Sequence, residues 1–343
     1  MSNSPTGFQK IAAILQKAGL DGFLLALLSM IGLAYLFPYP GTKDSPFHMD
    51  EIANYGVSLI FFFYGLRLSP EKLKAGLSNW RLHTLIHFTT FILFPCLILC
   101  LQGLFKAQHG EVLWLAVFYL ATLPSTVSSS VVMVSIAGGN MPAAIFNASI
   151  SSLLGVFITP LWMSSFLNAN SGDYHLGDVI AKLALQVLLP VVLGVLLHSR
   201  WGEFAEKNKQ KLRMMDQTII LMIVYTSFCE SFSEGIFRSY TLIDIFLLGV
   251  GMLALFFLVF SVVHLISKLL KFSQEDRITA LFCGSKKSLV HGTVMSKVLF
   301  PDVAMAGIML LPLMLYHALQ LLVASITAQS IARSEQEKKK NTV

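Results

Sequence analysis

The chain has 343 residues, 55% of them hydrophobic and only 13% charged, with a mean hydropathy of +0.68. A soluble domain carries about 25% charged residues, so a water-soluble enzyme or binding module is excluded and an all-α polytopic membrane protein is expected. The net charge of +6 does not point to nucleic acid, because the basic residues cluster in short loops between apolar runs.

Crossing a bilayer takes about 20 apolar residues per helix, which predicts ten spans. They fall at 20–37, 51–68, 80–104, 112–137, 141–168, 177–199, 214–233, 241–270, 275–300 and 303–332. Phe8 to Ala18 reads as a short amphipathic lead-in helix, and residues 334–343 as a disordered tail. The polar start passes into successive spans without the pattern of a cleavable signal peptide. Cys96, Cys100, Cys229 and Cys283 lie in apolar runs without metal-ligand spacing, as buried free thiols do.

Eighteen of the 25 Lys and Arg residues fall in alternate loops and the two termini, against three (Lys43, Lys106 and Arg238) in the opposite loops. That bias places both termini in the cytoplasm. Short loops suit a bacterial inner membrane. Ten spans divide into two halves of five, and an odd number turns the second half upside down, the inverted-repeat plan of many secondary carriers. The symmetry is read from topology alone, because the halves show no residue-level repeat.

Two predicted spans are interrupted at matching places, the fourth of each half. In helix 4, Pro124 removes a backbone donor beside Ser125, Thr126, Ser128, Ser129 and Ser130. In helix 9 the break is Gly284-Ser285-Lys286-Lys287-Ser288. Broken helices in corresponding positions point to the binding site of a secondary carrier. Hydroxyls and freed carbonyls suit a cation, and the N-terminus of the following half-helix suits an anion. The same hydroxyls also fit a purely structural role, bonding helix to helix.

A lysine near the membrane centre costs roughly 2.5–3.5 kcal/mol on insertion scales, so Lys286 and Lys287 are functional candidates. The alternative is that both snorkel to the interface. Glu230 in helix 7 is their candidate partner; the alternative is that it lies just outside the membrane, since Glu234 and Arg238 follow closely. Thr90 in helix 3 and Asn147 in helix 5 are polar residues in apolar surroundings, and His291, about one turn after the lysines, could carry a proton or only pack. His83 and His87 have the spacing of a metal pair but no carboxylate at a telling distance, so no metal centre is expected. No Ser-His-Asp or paired-carboxylate arrangement supports an enzyme.

The stretch Leu123-Pro124-Ser125-Thr126-Val127-Ser128-Ser129, with Ala137-Gly138-Gly139-Asn140, Phe146-Asn147 and Leu154-Gly155-Val156-Phe157-Ile158-Thr159-Pro160, resembles a helix 4–5 signature of the bile acid:sodium symporter superfamily, in its SBF-like branch. Lys287-Ser288-Leu289 with Gly292 and Met295 resembles that branch's helix 9 signature, with Val294 where a proline is common. The resemblance implies a core domain of helices 3–5 and 8–10 (80–168 and 241–332) and a panel domain of helices 1, 2, 6 and 7 (20–68 and 177–233). Helices 4 and 9 would cross at their unwound centres, with alternating access moving one domain against the other.

In sodium-coupled members of that superfamily two Na⁺ ions sit behind the crossing. Carried over, Ser129 and Ser130 fall at the helix 4 ligands, Asn147 and Ser149 at those of helix 5, and Thr90 replaces a Gln on helix 3. Phe282 replaces a Glu and Lys286 a Gln on helix 9. Losing a carboxylate and gaining an ammonium adds two positive charges, and charges a few ångströms apart interact by roughly 4 kcal/mol at an intermediate dielectric. Two bound Na⁺ ions are therefore not expected: Lys286 or Lys287 is expected to stand in for a sodium ion, with coupling absent, reduced to one ion or moved to protons.

The expected function is secondary transport of an organic anion, with no resident cofactor and Na⁺ or H⁺ as candidate coupling ion. The expected partners are that small molecule and the lipid bilayer, with a monomer sufficient. A non-transporting membrane regulator that keeps the fold, in calcium or glycan-trafficking homeostasis, is the alternative, and an intramembrane enzyme the third reading.

Overall fold

The computed structural model describes residues 22–68, 79–167, 176–300 and 303–341. These are all-helical, with no strand among them. In chain order the helices are α1 (Gly22–Leu36), α2 (Met49–Leu66), α3 (Trp80–Cys100), α4 (Gln102–Thr122), α5 (Ser128–Ala137), α6 (Met141–Leu167) and α7 (176–196). There follow α8 (His198–Lys207), α9 (Lys209–Ser233), α10 (Leu242–Leu269), α11 (Gln274–Gly284), α12 (Leu289–Leu299) and α13 (Val303–Asn341).

Four stretches are long and apolar enough to cross a membrane unbroken: Trp80–Cys100, Met141–Leu167, Leu242–Leu269 and Met305–Ser334. The fourth expected span is split into α4 and α5, and the ninth into α11 and α12. Residues 184–196 of α7 turn through 97° into α8, which therefore runs across the direction of α7 instead of extending it. The last helix continues past Ser334 to Asn341, where the sequence led us to expect a disordered tail. Its run of Gln, Glu and Lys is made of good helix formers propagating from an existing helix. The expected lead-in helix at Phe8–Ala18 lies outside the described residues.

Local chemistry explains several ends and irregularities. Thr241 and Asp244 form a reciprocal cap at the start of α10. Pro95 removes the donor that Phe91 O would receive in a continuous helix, and Trp162 Nε1 from α6 donates to that carbonyl instead, at 2.8 Å. The turn Thr89–Leu93 just before it is a π-turn, widened by one residue.

Helices α1, α2, α7 and α9 pack on one another, and α3–α6 pack with α10–α13; α9 also packs along α13. The backbones of α2 and α7 touch: a Cβ added at Gly65 would lie 2.9 Å from Val191 Cα. Such close approach suits a membrane interior, where van der Waals packing replaces the hydrophobic drive. At one end of the second group, three helix N-termini meet on one carboxylate. Asn79 caps α3 and Asn140 caps α6, and their side-chain amides donate to Asp276 in the first turn of α11 at 2.6 and 2.9 Å. An acid there complements three helix dipoles at once. This junction fixes where α11 begins, and so how deep its broken end lies.

Candidate functional site

Each break leaves carbonyls without their helical donors, and in an apolar interior these must find others. At the α4–α5 break the chain turns extended at Leu123 (φ −68°, ψ 152°). Ser125 N bonds Ser151 Oγ at 2.9 Å, so Ala121 O loses its donor. Thr159 Oγ1 donates to Thr122 O at 2.8 Å, and Ser288 N to Pro124 O at 2.9 Å. At the α11–α12 break, Ser125 Oγ donates to Cys283 O at 2.6 Å and Ser130 Oγ to Phe282 O at 3.0 Å. The two unwound segments therefore complete each other's hydrogen bonding.

Lys287 is the centre of this exchange. Its side chain is fully buried, and Nζ donates to Thr90 O at 2.7 Å, Ala121 O at 2.6 Å and Leu123 O at 2.8 Å. An ammonium has three donors, and all three are used. Two of the acceptors are freed by the α4–α5 break, and the third lies in the π-turn of α3. The Phe94 ring lies 4.2 Å from the same nitrogen, in cation–π geometry. Gln320 of α13 holds the Lys287 backbone on both sides, Oε1 accepting from N at 2.9 Å and Nε2 donating to O at 2.8 Å.

Lys286 is equally buried but differently furnished. Its Nζ donates to Ser129 O at 3.0 Å, the one acceptor it has among the described residues, and lies 5.8 Å from the Phe282 ring. The rest of its hydrogen-bonding capacity has no partner among the described residues, a costly condition in an apolar interior unless a ligand supplies acceptors. Both lysines lie deep in the protein, so the snorkelling alternative does not hold. Adjacent in sequence, they face different surroundings because the chain between α11 and α12 is not helical.

The remaining candidates divide. Thr126 Oγ1 shares hydrogen bonds of 2.8 Å with Ser129 Oγ and Ser130 Oγ. The Ser128 side chain lies outside the described residues. Ser285 Oγ bonds back to Leu281 O at 2.6 Å, and its carbonyl accepts from Tyr316 OH at 2.7 Å. Ser288 caps α12, its Oγ accepting from His291 N at 3.3 Å and lying 2.9 Å from His291 Nδ1. The His291 ring meets Phe61 and Tyr64 of α2 edge-on, and its buried Nε2 has no partner among the described residues.

Thr90 contributes its carbonyl, while its hydroxyl is buried without a partner among the described residues. Asn147 Nδ2 donates to Ala143 O at 2.8 Å and leaves Oδ1 buried and unpartnered among them. Ser149 Oγ bonds Ile145 O at 2.8 Å.

Glu230 is a correction. It bonds neither central lysine; its Oε2 accepts from Lys43 N at 3.2 Å. The sequence pairing matched charges by sign, but Glu230 lies at the C-terminal end of α9, and the lysines are served by carbonyls instead.

Sequence reasoning also missed Gln320, Tyr316 and Ser151, and met Thr159 only as part of the helix 4–5 signature. The available signal was weak: polar residues spaced by four on an otherwise apolar helix, as Tyr316 and Gln320 are. It missed Tyr119 too, whose OH donates to Gly292 O at 2.5 Å and ties α4 to α12.

Apolar helices, two broken at a shared buried crossing, define a multi-pass membrane protein of the transporter class. Residues 21–333 match the SBF-like CPA transporter family, and the chain belongs to it. It is 40% identical to an uncharacterized protein of Pseudomonas aeruginosa over 91% of this chain and 93% of that one. Identity to YfeH of Escherichia coli (strain K12) is 37%, covering 93% and 95% of the two chains. Sodium/bile acid cotransporter 7 of Mus musculus is 30% identical, covering 93% and 94%. Family membership makes the chain a transporter, not an enzyme.

Proposed function

We propose that this chain is a secondary carrier of an organic anion in which Lys287 replaces a bound cation. The observation that carries this reading is the Lys287 ammonium in a cage of three backbone carbonyls at 2.6–2.8 Å. Carbonyl oxygens converging on one positive charge are what a hard cation requires, and here the cation is covalently attached. Transport then proceeds without Na⁺ at this position. Ser129, Ser130, Asn147 and Ser149 are the residues left for a second ion.

Lys286, with hydrogen-bonding capacity to spare beside the crossing, contacts the anion, assisted by the N-terminus of α12 and by His291. The helices α3–α6 and α10–α13 act as the core, and α1, α2, α7 and α9 as the panel. They form ten spans in two inverted halves, with the substrate held between core and panel. In this reading both chain ends lie in the cytoplasm of a bacterial cell, with the carrier in the inner membrane.

Bile acids, named for the mouse relative, are one anion class to try. The test is uptake of taurocholate and a panel of other organic anions into proteoliposomes, with Na⁺ exchanged for K⁺ or choline at constant ionic strength. Saturable uptake indifferent to that exchange, and lost in Lys286→Gln, is the expected result. Uptake that requires Na⁺ would overturn the tethered-cation reading. Absence of saturable uptake for every anion would favour a regulator that has kept the fold.

A further inference from the structure

A second charged cluster lies away from the crossing. Lys297, in the last turn of α12, forms an ion pair with Asp50, in the first turn of α2, and the two side chains are 5% and 25% exposed. Lys297 Nζ also lies 3.4 Å from Thr226 Oγ1 on α9. One turn further along α9, Glu230 accepts from Lys43 N in the α1–α2 connection. Both members of the pair occupy the helix end that suits their charge, the acid at an N-terminus and the base at a C-terminus.

This pair differs from the others in what it joins. Among the described ion pairs, Lys297–Asp50 is the one that bridges the two helix groups. At the opposite end of α2, Arg67 Nη2 pairs with Asp216 Oδ2 of α9 at 2.9 Å, within a single group. Nearer that end, α2 meets α6 through Tyr64 OH and Ser149 O at 3.5 Å, long for a hydroxyl donor. Among the described residues, the charged link between groups therefore lies at the face of the α1–α2 connection. α12 also carries Ser288 and His291, so whatever holds its C-terminal end against α2 bears on the crossing.

We propose that the Lys297–Asp50 pair is a latch that closes the carrier at the face of the α1–α2 connection. While it is made, α12 cannot part from α2 there, and the crossing communicates only with the opposite face. Removing one partner strands a largely buried charge, so the latch either holds both residues or releases both. The inference rests on the carrier reading above.

The test is hydrogen–deuterium exchange of the full-length protein in detergent, read on peptides covering 49–56 and 293–300, with α10 as an internal reference. Asp50→Asn and Lys297→Gln should each speed exchange in both peptides by about tenfold, corresponding to roughly 1.4 kcal/mol of lost closure. The charge swap Asp50→Lys with Lys297→Asp should restore most of the protection. Faster exchange only in the peptide that carries the substitution, or a swap no better than the single variants, would overturn the latch.

If a single variant fails to fold, the swap decides: a folded, protected swap supports the proposal and an unfolded one overturns it. Exchange needs no substrate. Coupled opening of both peptides without any anion flux would keep the latch and remove the carrier reading, and flux without that coupling would do the reverse.

Discussion

Lys287 Nζ bonds the carbonyl of Leu123, the residue just before Pro124, at 2.8 Å. One helix break thus supplies the ammonium, and the other break supplies the acceptor. A carbonyl freed by an unwound turn and a lysine that cannot reach water are each unfavourable alone. Here they satisfy one another, 164 positions apart.

Lys287→Ala should be severely destabilising. It leaves three buried carbonyls without donors, each worth about 1–3 kcal/mol, which places the total in the exceptional range for one substitution. The variant should also regain a cation requirement. Na⁺ or K⁺ entering the vacated cage would raise its melting temperature relative to choline, since a ligand at a hundredfold excess over Kd contributes about 2.7 kcal/mol. Thermal melts in the three chlorides check both points. Equal melting in all three would mean that the cage does not act as a cation site.

Gln320→Leu should cost about 2–6 kcal/mol, because two buried backbone groups lose their partners at about 1–3 kcal/mol each. Gln320→Glu separates the two bonds. A carboxylate still accepts from Lys287 N but cannot donate to Lys287 O, so its loss should be intermediate unless the acid is protonated. Denaturant or thermal unfolding in detergent gives the order, and a Glu variant worse than Leu would show that added negative charge outweighs the retained bond.

Gly155→Ala should destabilise by overpacking, at about 1–3 kcal/mol. The added Cβ would sit 2.7 Å from Pro124 Cγ, and the proline ring cannot rotate aside. Gly249→Ala is the control, since an added Cβ there meets nothing within 4 Å, and replacing a helical glycine by alanine should raise stability by up to about 1 kcal/mol. Similar melting of the two variants would place the α4–α5 break on a softer backbone than its packing indicates.

Much of this architecture was legible in the sequence because its causes are local. Long apolar runs and sparse charge dictate membrane helices. Pro124 marks a candidate break, since a ring nitrogen without hydrogen cannot donate to the preceding turn, while Pro160 and Pro312 lie inside helices that continue past them. Glu275 and Asp276 lie in the first turn of α11, where a helix N-terminus favours acids whatever lies nearby.

The partners of the freed groups were not legible. The Lys287 acceptors lie 164 to 197 residues away and are backbone atoms, which every residue type carries alike. Glu230 was misassigned for the same reason: sequence records the sign of a charge but not its depth or direction. The tail expected to be disordered from Ser334 continues as helix to Asn341, because helix propagation depends on the turn already formed before it.

The sequence by itself therefore determined that the chain spans a membrane, that two of its helices are broken, and which residues surround the breaks. Tertiary structure alone decided that one lysine is fully engaged and its neighbour is not, and that Lys297 reaches across to Asp50. The physical reason is range. Backbone geometry and hydropathy act within a few residues, whereas the pairing of buried polar groups is fixed only when distant helices come into contact.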